Sequence, residues 1–94
     1  MAKLDPETLT TRLASLEGWS VEGRAIEKVF SFEKYMDGVT FVTQIAPIAE
    51  EANHHPDIFL GWRRVRLNLS THSEGGLTDK DFDLAEKIDR IPSP

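Results

Sequence analysis

The stretch MDGVTFVTQIAPIAEEANHHPD, residues 36–57, decides the fold of this chain. Its apolar side chains recur at helical spacing, which predicts one long helix over Met36–Asn53. The apolar positions cover about half of the helix circumference and are Val39, Phe41, Val42, Ile45, Ala46, Ile48, Ala49 and Ala52. So broad an apolar surface predicts either a deep position in the core of the chain or a contact with another subunit.

Two prolines shape this helix. Pro47 lies in its interior, where the missing N–H cannot bond to Thr43, so we expect a kink. Pro56 disfavours helical backbone in the residue before it. We therefore expect the helix to end at His54 or His55.

The residues before this helix predict a shorter helix and two strands. Asp5 can cap a helix whose first turn contains Pro6, and Gly18 is a suitable stop. The strands are expected at Trp19–Glu22 and Ala25–Glu33. The second alternates apolar and polar residues, with a break at residues 28 and 29.

The residues after the long helix predict a β-hairpin and a last helix. The arms of the hairpin are Ile58–Leu60 and Val65–Ser70, joined around Gly61–Arg64. The last helix opens at Thr78, whose side chain can form a capping box with Asp81. The predicted order is therefore α-β-β-α-β-β-α, an α+β arrangement in a single domain over residues 1–94.

The composition excludes several classes of protein. A chain of 94 residues is too short for a separate cofactor domain, since domains usually have roughly 100–150 residues. The absence of cysteine excludes disulfides and thiolate chemistry and favours a cytoplasmic location. A net charge of -5 argues against nucleic acid or an anionic membrane as a direct partner. No apolar run approaches the roughly 18 residues of a membrane span.

Three histidines are the candidate catalytic residues, His54, His55 and His72. Glu50 precedes His54 by four residues, so on a helix its carboxylate is expected to hold that imidazole. Pro56 stiffens the chain after His55, so the two adjacent rings leave a rigid corner in different directions, and His72 is expected at a strand end. Because imidazole titrates near neutral pH, three such rings in one pocket suit acid–base catalysis.

Other interpretations stay open on the residues alone. The adjacent histidines are also suited to cap a helix end, where the helix dipole favours a positive charge. Three histidines and a glutamate are a possible zinc or iron set, but adjacent residues at a helix end point apart, unlike the i,i+4 pair that shares one metal. We therefore expect no metal. Nucleophilic catalysis has no support, since the sequence lacks cysteine and a Gly-x-Ser-x-Gly motif.

Three segments together resemble the signature of the pterin-4a-carbinolamine dehydratase family, from about Trp19 to Ile91. The segments are Glu50-x-x-Asn53-His54-His55-Pro56-Asp57, Leu69-Ser70-Thr71-His72 and Gly75-Gly76-Leu77-Thr78-x-x-Asp81. The resemblance implies a four-stranded antiparallel sheet with three helices packed on one face. It also implies a homodimer or homotetramer.

The activity that this resemblance implies is the dehydration of a 4a-hydroxytetrahydropterin, such as 4a-hydroxytetrahydrobiopterin, to quinonoid dihydropterin and water. The reaction recycles the tetrahydropterin that an aromatic amino acid hydroxylase consumes, and it needs no cofactor. By the same resemblance, His54 and His72 are the principal proton-transfer pair, His55 orients the pterin, and Glu50 supports His54. The implied pterin-binding or supporting residues are Glu50, Asn53, Pro56, Ser70, Thr71, Ser73 and Asp81.

The chain departs from the family pattern at two positions. Ile58 stands where animal members have an aromatic residue, and Pro47 interrupts the long helix. The family also includes members that act as dimerisation cofactors for a transcription factor. The alternative function is therefore a non-enzymatic dimerisation or binding module whose apolar helix contacts a protein partner.

Overall fold

The computed structural model describes residues 2–92, so residue 1 and residues 93–94 of the predicted domain lie outside the described part. The helices are α1 (Pro6–Ala14), α2 (Tyr35–Ala52) and α3 (Asp79–Asp89), and the strands are β1 (Ser20–Glu22), β2 (Ala25–Ser31), β3 (Asp57–Gly61) and β4 (Arg64–Leu69). A short 3-10 turn, His72–Glu74, lies between β4 and α3. The predicted order α-β-β-α-β-β-α is confirmed.

The four strands form one antiparallel sheet in the order β1-β2-β4-β3. Ile26 of β2 pairs with Leu69 of β4, and Phe30 pairs with Val65. These alternate residues share the face that carries the helices. The core between sheet and helices consists of fully buried apolar side chains, chiefly Ile26, Ile45, Val65, Leu67, Leu69, Phe82, Leu84 and Ile88.

The side chains of β2 alternate between the two faces throughout, so the break at residues 28 and 29 is one of polarity and not of strand geometry. Lys28 pairs with Leu67 in the ladder and therefore lies on the helix side, while Val29 is 53% exposed on the other face. The Lys28 ammonium leaves the core edge and donates to Asp89 Oδ1 (3.0 Å) and the Glu17 carbonyl (2.9 Å). A lysine fits here because its long stem packs while its charged end reaches polar partners.

The broad apolar surface of α2 is used mainly inside the chain. Phe41, Ile45 and Ala49 are buried in the core, whereas Ala46 and Pro47 are exposed. The deep position in the chain, one of the two predicted explanations, therefore accounts for most of this surface. The helix continues through Pro47, and the expected kink there stays a prediction.

The predicted helix starts agree with the structure more closely than the predicted helix stops do. Asp5 accepts a hydrogen bond from the Thr8 N–H (2.8 Å), and this backbone contact lowers the pKa of the Asp5 carboxyl below its ordinary 3.8. Helix α1 ends at Ala14, before the expected stop at Gly18. The capping box of Thr78 and Asp81 at the start of α3 is confirmed. No helix within residues 2–92 is long and apolar enough to cross a membrane.

Arg12 joins α1 to α3. Its guanidinium donates to Asp79 Oδ1 (2.8 Å), Asp83 Oδ1 (3.1 Å) and Glu86 Oε2 (3.0 Å) and lies 5.3 Å from the centre of the Phe82 ring. Burial lowers the pKa of Arg12, but the hydrogen bonds and charges of Asp83 and Glu86 outweigh it and raise this pKa above its ordinary value.

We expect Arg12→Met to lower the free energy of unfolding by about 1 kcal/mol, measured by urea denaturation. The loss is small because the three carboxylate side chains are 44%, 59% and 37% exposed, so water screens each pair. Arg12→Lys keeps the charge but not the planar fork, so it is expected to lose only part of this energy. Equal stability of Arg12→Met and the unchanged chain would show that Arg12 does not hold α1 to α3.

Candidate active site

The corner between α2 and β3 positions the two adjacent histidines. Helix α2 ends at Ala52, and Asn53 adopts the left-handed conformation (φ 49°), so the helix ends earlier than the predicted His54 or His55. Asparagine tolerates this conformation, which turns the chain out of the helix. The His54 N–H then donates to the Ala49 carbonyl (3.1 Å), and Pro56 leads into β3.

This turn gives the histidines other partners than the sequence predicts. The expectation that Glu50 holds His54 is wrong, because the left-handed Asn53 removes His54 from the helical spacing that would bring the two side chains together. Glu50 Oε2 instead lies within hydrogen-bonding distance of His55 Nε2. Both side chains of this pair are exposed, His55 by 55% and Glu50 by 75%.

The third histidine comes from the segment after β4. An isolated bridge pairs Thr71 with Gly76 and closes a loop, and His72 begins the 3-10 turn within that loop. The His72 side chain is exposed to solvent, and its Nε2 lies 3.5 Å from Ser70 Oγ. His72 thus stands at the strand end that the sequence predicts.

The three histidines line one open cavity of about 310 Å³. Its lining residues come from the corner after α2, the segment after β4 and the first turn of α3, and they are Asn53, His54, His55, Ser70, Thr71, His72, Ser73 and Lys80. The volume lies at the lower end of the roughly 300–1,000 Å³ of small-molecule sites. All but Lys80 were candidates from the sequence.

A buried carboxylate lies behind His54. Asp81 is fully buried, and its Oδ1 lies 2.6 Å from His54 Nε2, while the His54 side chain is 11% exposed. Asp81 Oδ2 accepts from the Thr71 hydroxyl (2.9 Å) and from the Thr78 N–H (2.9 Å). Asp81 therefore supports the pocket through His54 and does not itself line the cavity.

The sequence indicates little of the role of two residues of this site. From the sequence, Thr78 is only a helix cap, but its fully buried hydroxyl also bonds to Thr71 Oγ1 (2.8 Å). Lys80 carries no signal, because a lysine in the first turn of a helix is an ordinary surface residue. Its place on the cavity rim follows only from the folding of α3 against the segment after β4.

The remaining candidates lie around the cavity without lining it. Pro56 is half-buried at the corner. Ile58, where animal members of the resembled family have an aromatic residue, packs against the hydrophobic core. No group of three His, Cys, Asp or Glu side chains within residues 2–92 could hold a metal ion.

A larger cavity, about 530 Å³, lies at the opposite end of β2. Its walls include Phe30, Phe32 and Phe41, and its polar groups include the ammonium and carboxylate of Lys28 and Asp89, which bond to each other. None of its lining residues is a histidine. Proton transfer near neutral pH therefore favours the smaller cavity, which three histidines line.

The chain matches a family model described as pterin 4 alpha carbinolamine dehydratase over residues 2–91. Among curated relatives, a protein of Sulfolobus acidocaldarius is 51% identical over 95% of this chain and 98% of its own length. One of Mycobacteroides abscessus is 48% identical over 95% of each chain. Both are provisionally named pterin-4-alpha-carbinolamine dehydratases.

Two solved structures share the fold. A protein of Brucella melitensis, described as a transcriptional coactivator/pterin dehydratase, is 37% identical, with a TM-score of 0.87 over 93% of this chain and 95% of that chain. A pterin dehydratase-like protein described as a RuBisCO assembly factor in the alpha-carboxysome is 24% identical, with a TM-score of 0.63 over 76% of this chain and 82% of that chain. At that identity the second likeness concerns the fold alone.

Proposed function

Because the chain belongs to the pterin-4a-carbinolamine dehydratase family, we propose that it dehydrates 4a-hydroxytetrahydropterins, such as 4a-hydroxytetrahydrobiopterin, to quinonoid dihydropterin and water. The observation that carries this proposal is the cavity that His54, His55 and His72 line together. The family supplies the substrate class, and the cavity supplies groups that can move protons near neutral pH.

The reaction needs one base and one acid. The base removes the proton from N5 of the pterin, and the electrons of that N–H bond form the C4a=N5 double bond. The C4a–O bond breaks, and the acid protonates the departing hydroxyl so that it leaves as water. Each proton transfer is typically worth about 10²–10⁴-fold in rate, and the reaction is complete without a cofactor.

We assign different roles to the three histidines. By the resemblance to the family, His54 and His72 form the proton-transfer pair, and the buried carboxylate that holds His54 and the open position of His72 are compatible with these roles. His55, paired with the exposed Glu50, orients the pterin. The backbone of Ser70–Ser73, with Asn53, contributes hydrogen-bonding groups for the pterin ring.

The proposal is tested by adding the purified protein to freshly generated 4a-hydroxytetrahydrobiopterin and following the formation of quinonoid dihydropterin. The expected result is dehydration well above the spontaneous rate, unchanged after treatment with a chelator. A rate equal to the spontaneous one would overturn the enzymatic proposal.

A second candidate function is a dimerisation or binding module for a protein partner. It is favoured by the Brucella melitensis structure, whose description includes transcriptional coactivator. A variant that separates the two functions must change the surface of α2 and not its buried side, where Ile45 lies. Met36 is 63% exposed on α2, so Met36→Asp alters this surface and leaves the core intact.

Self-association is the proposed assembly, as a homodimer or homotetramer located in the cytoplasm. Several large apolar side chains are exposed in the single chain, among them Tyr35, Met36, Phe59, Leu60 and Trp62. Burial of such surface between copies would stabilise a small domain. A functional link to an aromatic amino acid hydroxylase follows from the proposed substrate.

We expect light scattering after size-exclusion chromatography to give a mass of two or four times the 10.6 kDa chain. Met36→Asp, with a matched Met36→Leu control, tests whether this part of α2 lies in the interface. A mass of one chain at assay concentration would contradict the proposed assembly.

A further inference from the structure

We propose that Thr78 and Thr71 are positioning residues whose hydroxyls fix the orientation of Asp81, and that Asp81 in turn makes Nδ1 of His54 the proton-accepting atom of the site. This inference rests on the proposed dehydration and assigns the base within it. It concerns how one imidazole is oriented and on which nitrogen it carries its proton.

The direction of each hydrogen bond follows from counting donors. The Thr71 hydroxyl has a single hydrogen, and it donates that hydrogen to Asp81 Oδ2 (2.9 Å). In the contact between the two hydroxyls (2.8 Å), Thr78 must therefore be the donor. Thr78 Oγ1 accepts in turn from the Lys80 N–H (3.3 Å). The result is one directed chain from a backbone N–H through two hydroxyls to a carboxylate.

The unprotonated carboxylate of Asp81 is an acceptor only, so every partner must donate to it. Its Oδ2 receives the Thr71 hydroxyl and the Thr78 N–H. Its Oδ1, 2.6 Å from His54 Nε2, must therefore receive the hydrogen on that nitrogen. Neutral His54 carries its proton on Nε2, and Nδ1 keeps a free electron pair.

This tautomer decides which direction His54 moves a proton. His54 lines the cavity and its Nε2 bonds to Asp81, so we assign Nδ1 to the substrate. Nδ1 accepts the proton from N5 of the pterin, the C4a=N5 bond forms, and the C4a–O bond breaks. The departing hydroxyl takes its proton from His72, and Asp81 stabilises the imidazolium formed at His54.

The same contacts also form the capping box of α3, so a purely structural role must be distinguished. Such a role predicts that variants change stability but leave the His54 tautomer as it is. The proposed role predicts a change in the tautomer and in kcat. Asp81→Asn separates the two, because an amide can donate as well as accept.

In Asp81→Asn, the amide oxygen can still accept from Thr71 and from the Thr78 N–H, which turns the NH2 group toward His54 Nε2. That nitrogen must then accept, so His54 is expected to carry its proton on Nδ1. We expect kcat to fall by roughly 10²–10⁴-fold, the loss of a general base. Nitrogen-15 NMR of the imidazoles, recorded where free histidine is neutral, reports the tautomer directly.

Thr78→Val removes the hydroxyl that orients Thr71, and Thr78→Ser is its matched control. We expect Thr78→Val to lower kcat by roughly 3- to 10-fold, with little change in KM, while Thr78→Ser keeps kcat within about twofold. Circular dichroism and thermal melting identify any variant that has lost its fold. If Thr78→Val does not fold, the His54 tautomer measured in the unchanged protein and in Thr78→Ser still tests the inference.

Two results would overturn the inference: a proton on Nδ1 of His54 in the unchanged protein, or an Asp81→Asn variant that retains both the tautomer and kcat. Failure of the proposed function is distinguishable from this. An unchanged protein that shows the Nε2–H tautomer but no turnover would remove the dehydratase proposal and leave the hydrogen-bond assignment standing. Turnover by a protein whose His54 carries its proton on Nδ1 would leave the dehydratase proposal standing and remove the hydrogen-bond assignment.

Discussion

Replacing His72 with alanine is expected to lower the rate of 4a-hydroxypterin dehydration by roughly 10²–10⁴-fold while the protein stays folded. The expected loss is that of one proton transfer, because His72 supplies the acid to the departing hydroxyl. The fold is expected to survive since the His72 side chain is exposed, and its one described side-chain contact is Ser70 Oγ at 3.5 Å. The measurements are kcat for the generated substrate and the far-ultraviolet circular dichroism spectrum.

Ser70→Ala is the matched control for His72→Ala, because it removes only the contact between these two side chains. We expect it to change kcat by less than about threefold, in keeping with one weak hydrogen bond. His54→Gln is the companion variant at the base, since the amide can still donate to Asp81 while it cannot accept a proton near neutral pH. If His72→Ala and His54→Gln both kept full activity, the cavity of the three histidines would not be the active site.

The order of elements was predictable because it depends on local sequence. The helical spacing of residues 36–52 and the alternation in Val65–Leu69 each describe one element and its buried side. The start signals at Asp5 and Thr78 involve residues only three apart, and both caps form. The stop of α2 was less predictable. Asn53 ends the helix in the left-handed conformation, which asparagine can adopt but does not have to adopt.

The partners of the histidines were not predictable in the same way. Glu50 and His54 have the spacing of a helical pair, but one left-handed residue between them changes which ring Glu50 meets. The carboxylate that bonds to His54 belongs to Asp81, 27 residues along the chain. Its approach depends on how α3 packs against the sheet, which no local pattern encodes. The sequence therefore predicts the chemical groups of the site, and the packing determines their pairing.

The second large effect is expected at Phe82, which anchors α3 in the core. Its ring is fully buried, one face lies below the Arg12 guanidinium (5.3 Å from the ring centre), and Asp81 precedes it directly. Phe82→Ala is expected to lower the free energy of unfolding by about 3–5 kcal/mol, through lost burial and the cavity left behind. Small domains have total free energies of unfolding near the lower end of about 5–15 kcal/mol, so this loss would leave a substantial part of the protein unfolded.

Loss of Phe82 is also expected to weaken the active site, because α3 carries Asp81, which bonds to His54 and to the cap residue Thr78. Phe82→Leu is the matched control, since it keeps an apolar side chain in the space and should lose clearly less stability. Urea denaturation followed by circular dichroism gives the two free energies, and kcat measured below the unfolding transition gives the effect on the site. A loss below about 1 kcal/mol in Phe82→Ala would mean that α3 is held by other contacts, and that the position of Asp81 does not depend on this ring.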